Sequence, residues 1–256
     1  MKFVVAYLYP NHLNLYGDIG NVEILKYRAV QRNIESEIKI IDLSTKPSNE
    51  LFSNVSVVVM GGGPDSAQKE MADDFILSKG PYLKEFIENN GFGLFICGSY
   101  QLLGEYYKAS DGTIVKGLNM LPLYTEHFGP KKPRCIGNVF AKLNSNLTSD
   151  PFFDDYSEFE NSIVGFENHG GRTYLRDVEL KLATVTKGFG NNGEDKSEGI
   201  HYKNLIGTYF HGPFLSKNPH IADYIILKSL KLDKLSKLDD RIIVKAFTAS
   251  KSLKRV

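Results

Sequence analysis

Apolar residues in this chain come first in short unbroken runs and later in alternation. Phe3 to Tyr9 is an apolar run, Val22, Leu25 and Val30 recur at roughly helical spacing within Asn21 to Arg32, and Glu37 to Leu43 alternates. Together they predict strand, helix, strand. Val55 to Met60 forms the next run and ends at Gly61-Gly62-Gly63-Pro64; a helical segment over Ala67 to Asn89 then leads to the run Phe92 to Ile96. Strands of this kind belong to parallel sheets covered by helices on both faces.

From about Gly112 the texture changes. Arg134 to Leu143, Ile163 to Glu167, Leu182 to Thr186 and Leu205 to Phe210 are shorter alternating pieces, divided by Gly, Asn and Asp. They predict an antiparallel extension of the sheet. Gly188 to Asp195 reads as a loop, and the last helix is expected to start near Asn218-Pro219. Beyond Leu227 the chain carries nine Lys or Arg against three Asp, which reads as a solvated helix face and frayed tail. The expected fold is α/β: a three-layer, mostly parallel central sheet with helices on both faces and antiparallel additions in the C-terminal half. Residues 1–227 form its domain and 228–256 a basic C-terminal helix or tail.

Composition narrows the function. With 256 residues and 42% hydrophobic content the chain can bury a sizeable core, and one domain is expected. Lys and Arg total 31 against 30 Asp and Glu, so the formal charge of +1 gives no field to gather nucleic acid or an anionic membrane. Small polar or zwitterionic partners fit better. The N-terminus reads as a first strand rather than a signal peptide, and no apolar run approaches membrane-span length. Cys97 and Cys135 are expected to remain thiols in a cytoplasmic setting.

The chemistry centres on Gly93-Leu94-Phe95-Ile96-Cys97-Gly98-Ser99-Tyr100-Gln101-Leu102-Leu103-Gly104. Here a buried strand turns at Cys97-Gly98 into a helix. A thiol on such an elbow meets unpaired N–H groups and the positive end of the helix dipole, and both favour the thiolate. A strand cysteine is most often a small core residue, but this context makes Cys97 a nucleophile. Cys135, beside Arg134 within a strand, reads as structural. In a parallel sheet the ends of consecutive strands line one edge, so N–H groups of Gly62 or Gly63 together with Gly98 are expected to form an oxyanion hole. The glycines match neither a phosphate-binding loop nor a dinucleotide fingerprint.

A thiolate needs a base. Of the six histidines, His12, His127, His169, His201, His211 and His220, the best placed is His211, between the strand ending at Phe210 and the turn Gly212-Pro213. No two histidines have zinc-binding helix spacing, so no metal site is expected.

These features resemble the class I glutamine amidotransferases. Tyr16-Gly17-Asp18-Ile19-Gly20-Asn21, the Cys97 elbow, Gly165-Phe166-Glu167-Asn168-His169-Gly170-Gly171-Arg172-Thr173 and Tyr209-Phe210-His211-Gly212-Pro213 resemble the CobB/CobQ-like branch, from the N-terminus to about residue 225. Within it, the likeness is strongest to glutaminase subunits of two-chain ligases that amidate lipid II. The resemblance implies a flavodoxin-like fold, Cys97 as nucleophile, His211 as base and Arg134 as a glutamine-binding residue. It also implies a separate MurT-like, Mur-ligase-family synthetase carrying ATP and Mg, which reaches lipid II, with no cofactor in this chain. The sequence agrees in lacking an ATP-binding motif.

Two positions depart from the family. Pro213 stands where many members have a glutamate, two residues after the histidine. The carboxylate that orients His211 must come from elsewhere, with Asp18 or an acid of the partner as candidates. Ser99 replaces a common glycine, a change expected to be tolerated. The Asn168-His169-Gly170 turn is open to two readings, a wall of the glutamine pocket or a shaped loop. Competing functions are a glutaminase serving cobyrinate-type corrinoid amidation and a non-catalytic module on the same fold.

Overall fold

The computed structural model of the chain describes residues 1–253. Its first half is β1 (Lys2–Leu8), α1 (Ile19–Val30), β2 (Glu35–Ile41), β3 (Val57–Met60), α2 (Asp65–Asp73), α3 (Gly80–Glu88), β4 (Phe92–Ile96) and α4 (Gly98–Leu102). A π-helical turn, Asp74–Lys79, joins α2 to α3, so the expected long helix is continuous but locally underwound. Three short strands follow: β5 (Tyr106–Lys108), β6 (Ile114–Lys116) and β7 (Leu123–His127). The rest comprises β8 (Cys135–Leu143), α5 (Ser145–Thr148), β9 (Ser162–His169), β10 (Gly171–Leu175), β11 (Ala183–Lys187), β12 (Ser197–Glu198), β13 (Ile200–Tyr202), β14 (Leu205–Thr208), α6 (Pro219–Ser229) and α7 (Arg241–Ser252).

The central sheet has the order β13-β14-β4-β3-β1-β2. All neighbours are parallel except β13, which pairs antiparallel with β14 at one edge. The β1-to-β2 and β3-to-β4 crossovers run in opposite directions across the sheet, so right-handed connections put their helices on opposite faces. Accordingly α1 packs with α6, and α2 with α4. The apolar runs have their expected cause: every residue of β3 and β4 is buried, and each such Val, Ile or Phe contributes roughly 1.5–3 kcal/mol.

The antiparallel pieces differ from expectation. Leu205 to Phe210 instead enters the central sheet as β14, parallel to β4 and wholly buried, with β13 antiparallel at its edge; the other pieces form part of two further four-stranded sheets, β10-β7-β5-β6 and β12-β11-β8-β9. The reason lies in their alternation: β8 buries every second residue, which suits a sheet with one solvated face and not a layer covered twice. A single bridge, Phe166 with His211, ties β9 to the chain leaving β14.

The C-terminal segment is also more ordered than a frayed tail, although Lys254, Arg255 and Val256 lie outside the described residues. The α7 helix buries Phe247 against Phe159 and His220, at ring distances of 5.0 and 6.2 Å. A buried charge cluster fixes its start. Arg28 of α1 donates to Asp223 of α6 at 2.7 and 2.6 Å, and to Asp240, the residue before α7, at 2.8 Å. Arg32 and Tyr156 each donate to the same Asp223 carboxylate at 2.6 Å.

His220 is fully buried, stacked on Phe159 at 4.5 Å, and burial pushes its pKa down from 6.5 to about 3. The unfolded chain therefore binds a proton below pH 6.5 that the folded chain refuses, and stability falls as pH drops from 6.5 toward 3. Replacing His220 by Phe removes this term while other titrating groups act alike on both proteins. Between pH 7.5 and 5 the variant is expected to lose about 2 kcal/mol less stability than the parent, read from urea unfolding. Equal losses would refute the assignment.

Candidate active site

Four strands of the central sheet deliver their C-terminal ends to one edge, where β1, β3, β4 and β14 converge. At the end of β4 the chain reverses through Cys97, whose φ of 54° and ψ of −110° are strained for a residue with a side chain. Its N–H donates to the Thr208 carbonyl of β14 at 2.8 Å, which anchors the turn. Ser99 closes it from the other side, accepting from the Ile96 N–H at 2.9 Å and donating to the Met60 carbonyl of β3 at 2.7 Å. The serine is thus a tie between β4 and β3, beyond being tolerated. Because α4 is only five residues long, the dipole expected to help the thiol is small, and local N–H groups matter more.

His211 follows β14 and is held by reciprocal backbone bonds with Phe166, at 2.8 and 3.1 Å. Just before it, the buried Glu198 accepts from the Thr208 hydroxyl at 2.6 Å and the Tyr209 N–H at 3.0 Å. The imidazole is 3% exposed; its Nδ1 lies 3.3 Å from Oδ1 of Asp18, and the ring packs on Tyr16 at 4.3 Å. Asp18 thus takes the position left open by Pro213. Burial alone would lower the His211 pKa, but hydrogen bonding and charge from Asp18 and Cys97 outweigh it and raise the pKa to about 10.

The second Asp18 oxygen accepts from the Gly62 N–H at 2.7 Å. That corrects one expectation: Gly62 spends its N–H on Asp18 and is not free to serve an oxyanion. Its role is close approach, because a Cβ there would stand 2.9 Å from Cys97 Cβ. The N–H groups of Gly63 and Gly98 have no partner among the described residues and remain available.

Cys97 opens on a cavity of about 380 Å³, whose walls include Arg134, Asn168, Asp65, Gln68 and Tyr107. Arg134 reaches it from the start of β8, donating from Nε and Nη2 to Oδ1 of Asn168 at 3.1 and 3.0 Å and from Nη2 to the Asn168 carbonyl at 3.0 Å. The Asn168-His169-Gly170 turn therefore lines the pocket. His169 is stacked on Tyr209 at 3.7 Å, and burial drives its pKa down to about 3, so it stays neutral and supports the wall. Cys135 is fully buried behind it.

Asp65 and Gln68 carried no sequence signal of their own. Asp65 looks like an ordinary helix-start acid, yet it accepts from Tyr107 at 2.8 Å and lines the same cavity as Arg134. Gln68 is 2% exposed, and its amide touches both the Gly63 carbonyl and Gln101. The cavity thus brings the Cys97 thiol, which the buried His211–Asp18 pair backs from outside the lining, together with a cation and an anion on its walls. Such a site suits attack on an uncharged group carried by a small zwitterion.

Known proteins agree with this geometry. The CobB/CobQ-like glutamine amidotransferase domain matches residues 4–219. The chain is 42% identical over 228 residues to the GatD subunit of a glutamine-hydrolysing lipid II isoglutaminyl synthase from Staphylococcus aureus, covering 89% of this chain and 84% of that one. It is 37% identical to the corresponding Streptococcus pneumoniae subunit, covering 89% and 80%. A probable cobyric acid synthase of Methanococcus maripaludis is 33% identical over 212 residues, covering 78% of this chain and 38% of that protein. Among solved structures, the glutaminase domain of Trypanosoma brucei CTPS superposes with a TM-score of 0.56 at 9% identity, covering 91% and 96%, and shares the fold. By its matched domain and by these relatives, the chain belongs to the CobB/CobQ-like glutamine amidotransferase family.

Proposed function

We propose that this chain is the glutaminase subunit of a two-chain ligase. It hydrolyses L-glutamine and passes the ammonia to a MurT-like, Mur-ligase-family synthetase, which amidates the D-glutamate α-carboxyl of lipid II. The observation that carries the hydrolysis is the strained Cys97 elbow beside His211, itself paired with Asp18. The higher identity to the two GatD subunits favours the lipid II acceptor over a corrinoid. ATP and Mg are assigned to the partner, and no cofactor or metal to this chain.

The reaction follows from charge and reach. His211 takes the Cys97 proton, and the thiolate adds to the carboxamide carbon of glutamine. N–H groups of Gly63 and Gly98 stabilise the oxyanion that forms. The imidazolium, which Asp18 favours, gives its proton to the departing nitrogen; the C–N bond breaks and ammonia leaves. His211 then accepts a proton from water, which attacks the thioester to release glutamate and regenerate the thiol. Arg134 holds the α-carboxylate of the substrate and Asp65 faces its α-ammonium.

Three measurements test this reading. Cys97→Ala is expected to reduce glutaminase activity to background with an unchanged circular dichroism spectrum; residual turnover near the parent level would defeat it. Asp18→Asn should lower the His211 pKa by about 1–2 units in an NMR titration and reduce kcat far more than it changes KM. Co-expression with a Mur-ligase-like chain should give amidated muropeptides by mass spectrometry, and their absence from an active complex would redirect the acceptor assignment.

A further inference from the structure

Arg172, on β10, is 4% exposed. Its Nη1 donates to Cys135 Sγ and its Nη2 to the Pro133 carbonyl, while Nε is buried with no partner. None of these contacts is a carboxylate. Burial lowers its pKa from the ordinary arginine value, outweighing the opposing charge of Glu194. Gly193 covers it from the 188–195 loop, where a Cβ would stand 3.3 Å from Nη1. A buried guanidinium with no carboxylate in direct contact, and only the more distant Glu194 to offset its charge, is a costly choice for filling space, since an apolar side chain of similar volume would serve. What arginine adds is a rigid planar fork.

The two acceptors of that fork are the neighbours of Arg134 on either side. Arg134 itself is exposed, lies ahead of the first residue of β8, and follows the 3-10 turn Gly129–Lys131, so little else fixes its backbone. The fork also bridges two sheets, since Arg172 pairs in register with Glu126 of β7 and Cys135 with His169 of β9. We propose that Arg172 is a positioning residue for substrate recognition: by gripping Pro133 and Cys135 it aims Arg134 at the α-carboxylate of glutamine. This inference rests on the reading of Arg134 as the carboxylate-binding residue.

The test is a double-mutant cycle on glutaminase kinetics, assayed with the chain bound to its synthetase partner. Arg134→Ala alone examines the underlying reading and should raise KM. Arg172→Met should raise KM for glutamine about tenfold with kcat within about twofold of the parent, and Arg172→Lys should fall between, keeping charge but not the fork. In the Arg134→Ala background Arg172→Met should change kcat/KM no further. If Arg134→Ala raises KM but Arg172→Met does not, the inference falls and the reading of Arg134 stands. If Arg134→Ala leaves KM unchanged, both fall. A drop in kcat/KM of similar size in both backgrounds would reduce Arg172 to a structural role and overturn the proposal. Should Arg172→Met fail to fold, Cys135→Ala removes one of the two grips with a small change in volume; it should raise KM by a smaller factor, and an unchanged KM refutes the inference.

Discussion

The Asp18 carboxylate is wholly buried, and a charge there must be met on both oxygens. One oxygen meets the Gly62 N–H at the end of β3 and the other meets His211 beyond β14. The carboxylate itself stands at the entrance to α1, just after the chain leaves β1. Three separated parts of the chain are thereby fastened at one edge of the sheet. The same contact that solves a desolvation problem orients the His211 imidazole and keeps its positive form stable. Gly62 can take part only because it has no side chain to meet Cys97.

Around that contact the strain at Cys97 is kept in place by bonds to its neighbours on either side, Thr208 through the backbone and Met60 through Ser99. Parallel strands make this possible, since their ends arrive together without tight hairpins between them. The two outer sheets serve another purpose. The β12-β11-β8-β9 sheet carries Arg134, Asn168 and His169 to the cavity, the β10-β7-β5-β6 sheet adds Tyr107, His127 and Gly171, and together they build the wall that the central sheet lacks. Cys97 and His211 therefore sit at the ends of the buried parallel layer, and Arg134 and Asn168 on the more exposed antiparallel sheet.

Far from the site, the Arg28–Asp223–Asp240 cluster and the Phe159–His220–Phe247 stack dock α7 on the domain. Among the described residues of the basic run, Phe247 is buried, Leu230, Leu235 and Val244 pack partly against the core, and most lysines stay in water. Its helix contributes to the domain without touching the cavity.

The sequence by itself determined the parallel core, because short apolar runs ended by glycine turns and separated by helical segments suit strands covered on both faces. It also determined the elbow and the strand-end histidine, because a glycine-flanked turn and a Gly-Pro turn are local features. Tertiary structure alone decided which carboxylate meets His211, since Asp18 and His211 are 193 residues apart and either Asp18 or an outside acid satisfied the pattern. It decided that Gly62 would be consumed and Gly63 left free, a difference between adjacent glycines that no local rule contains. It decided too that β8, β9 and β11 would form a separate sheet while β14 joined the central one, and that Asp65 and Gln68 would line the cavity on which Cys97 opens. Periodicity reports which face of an element is buried; it does not report which other element covers that face, and the site is made where those choices meet.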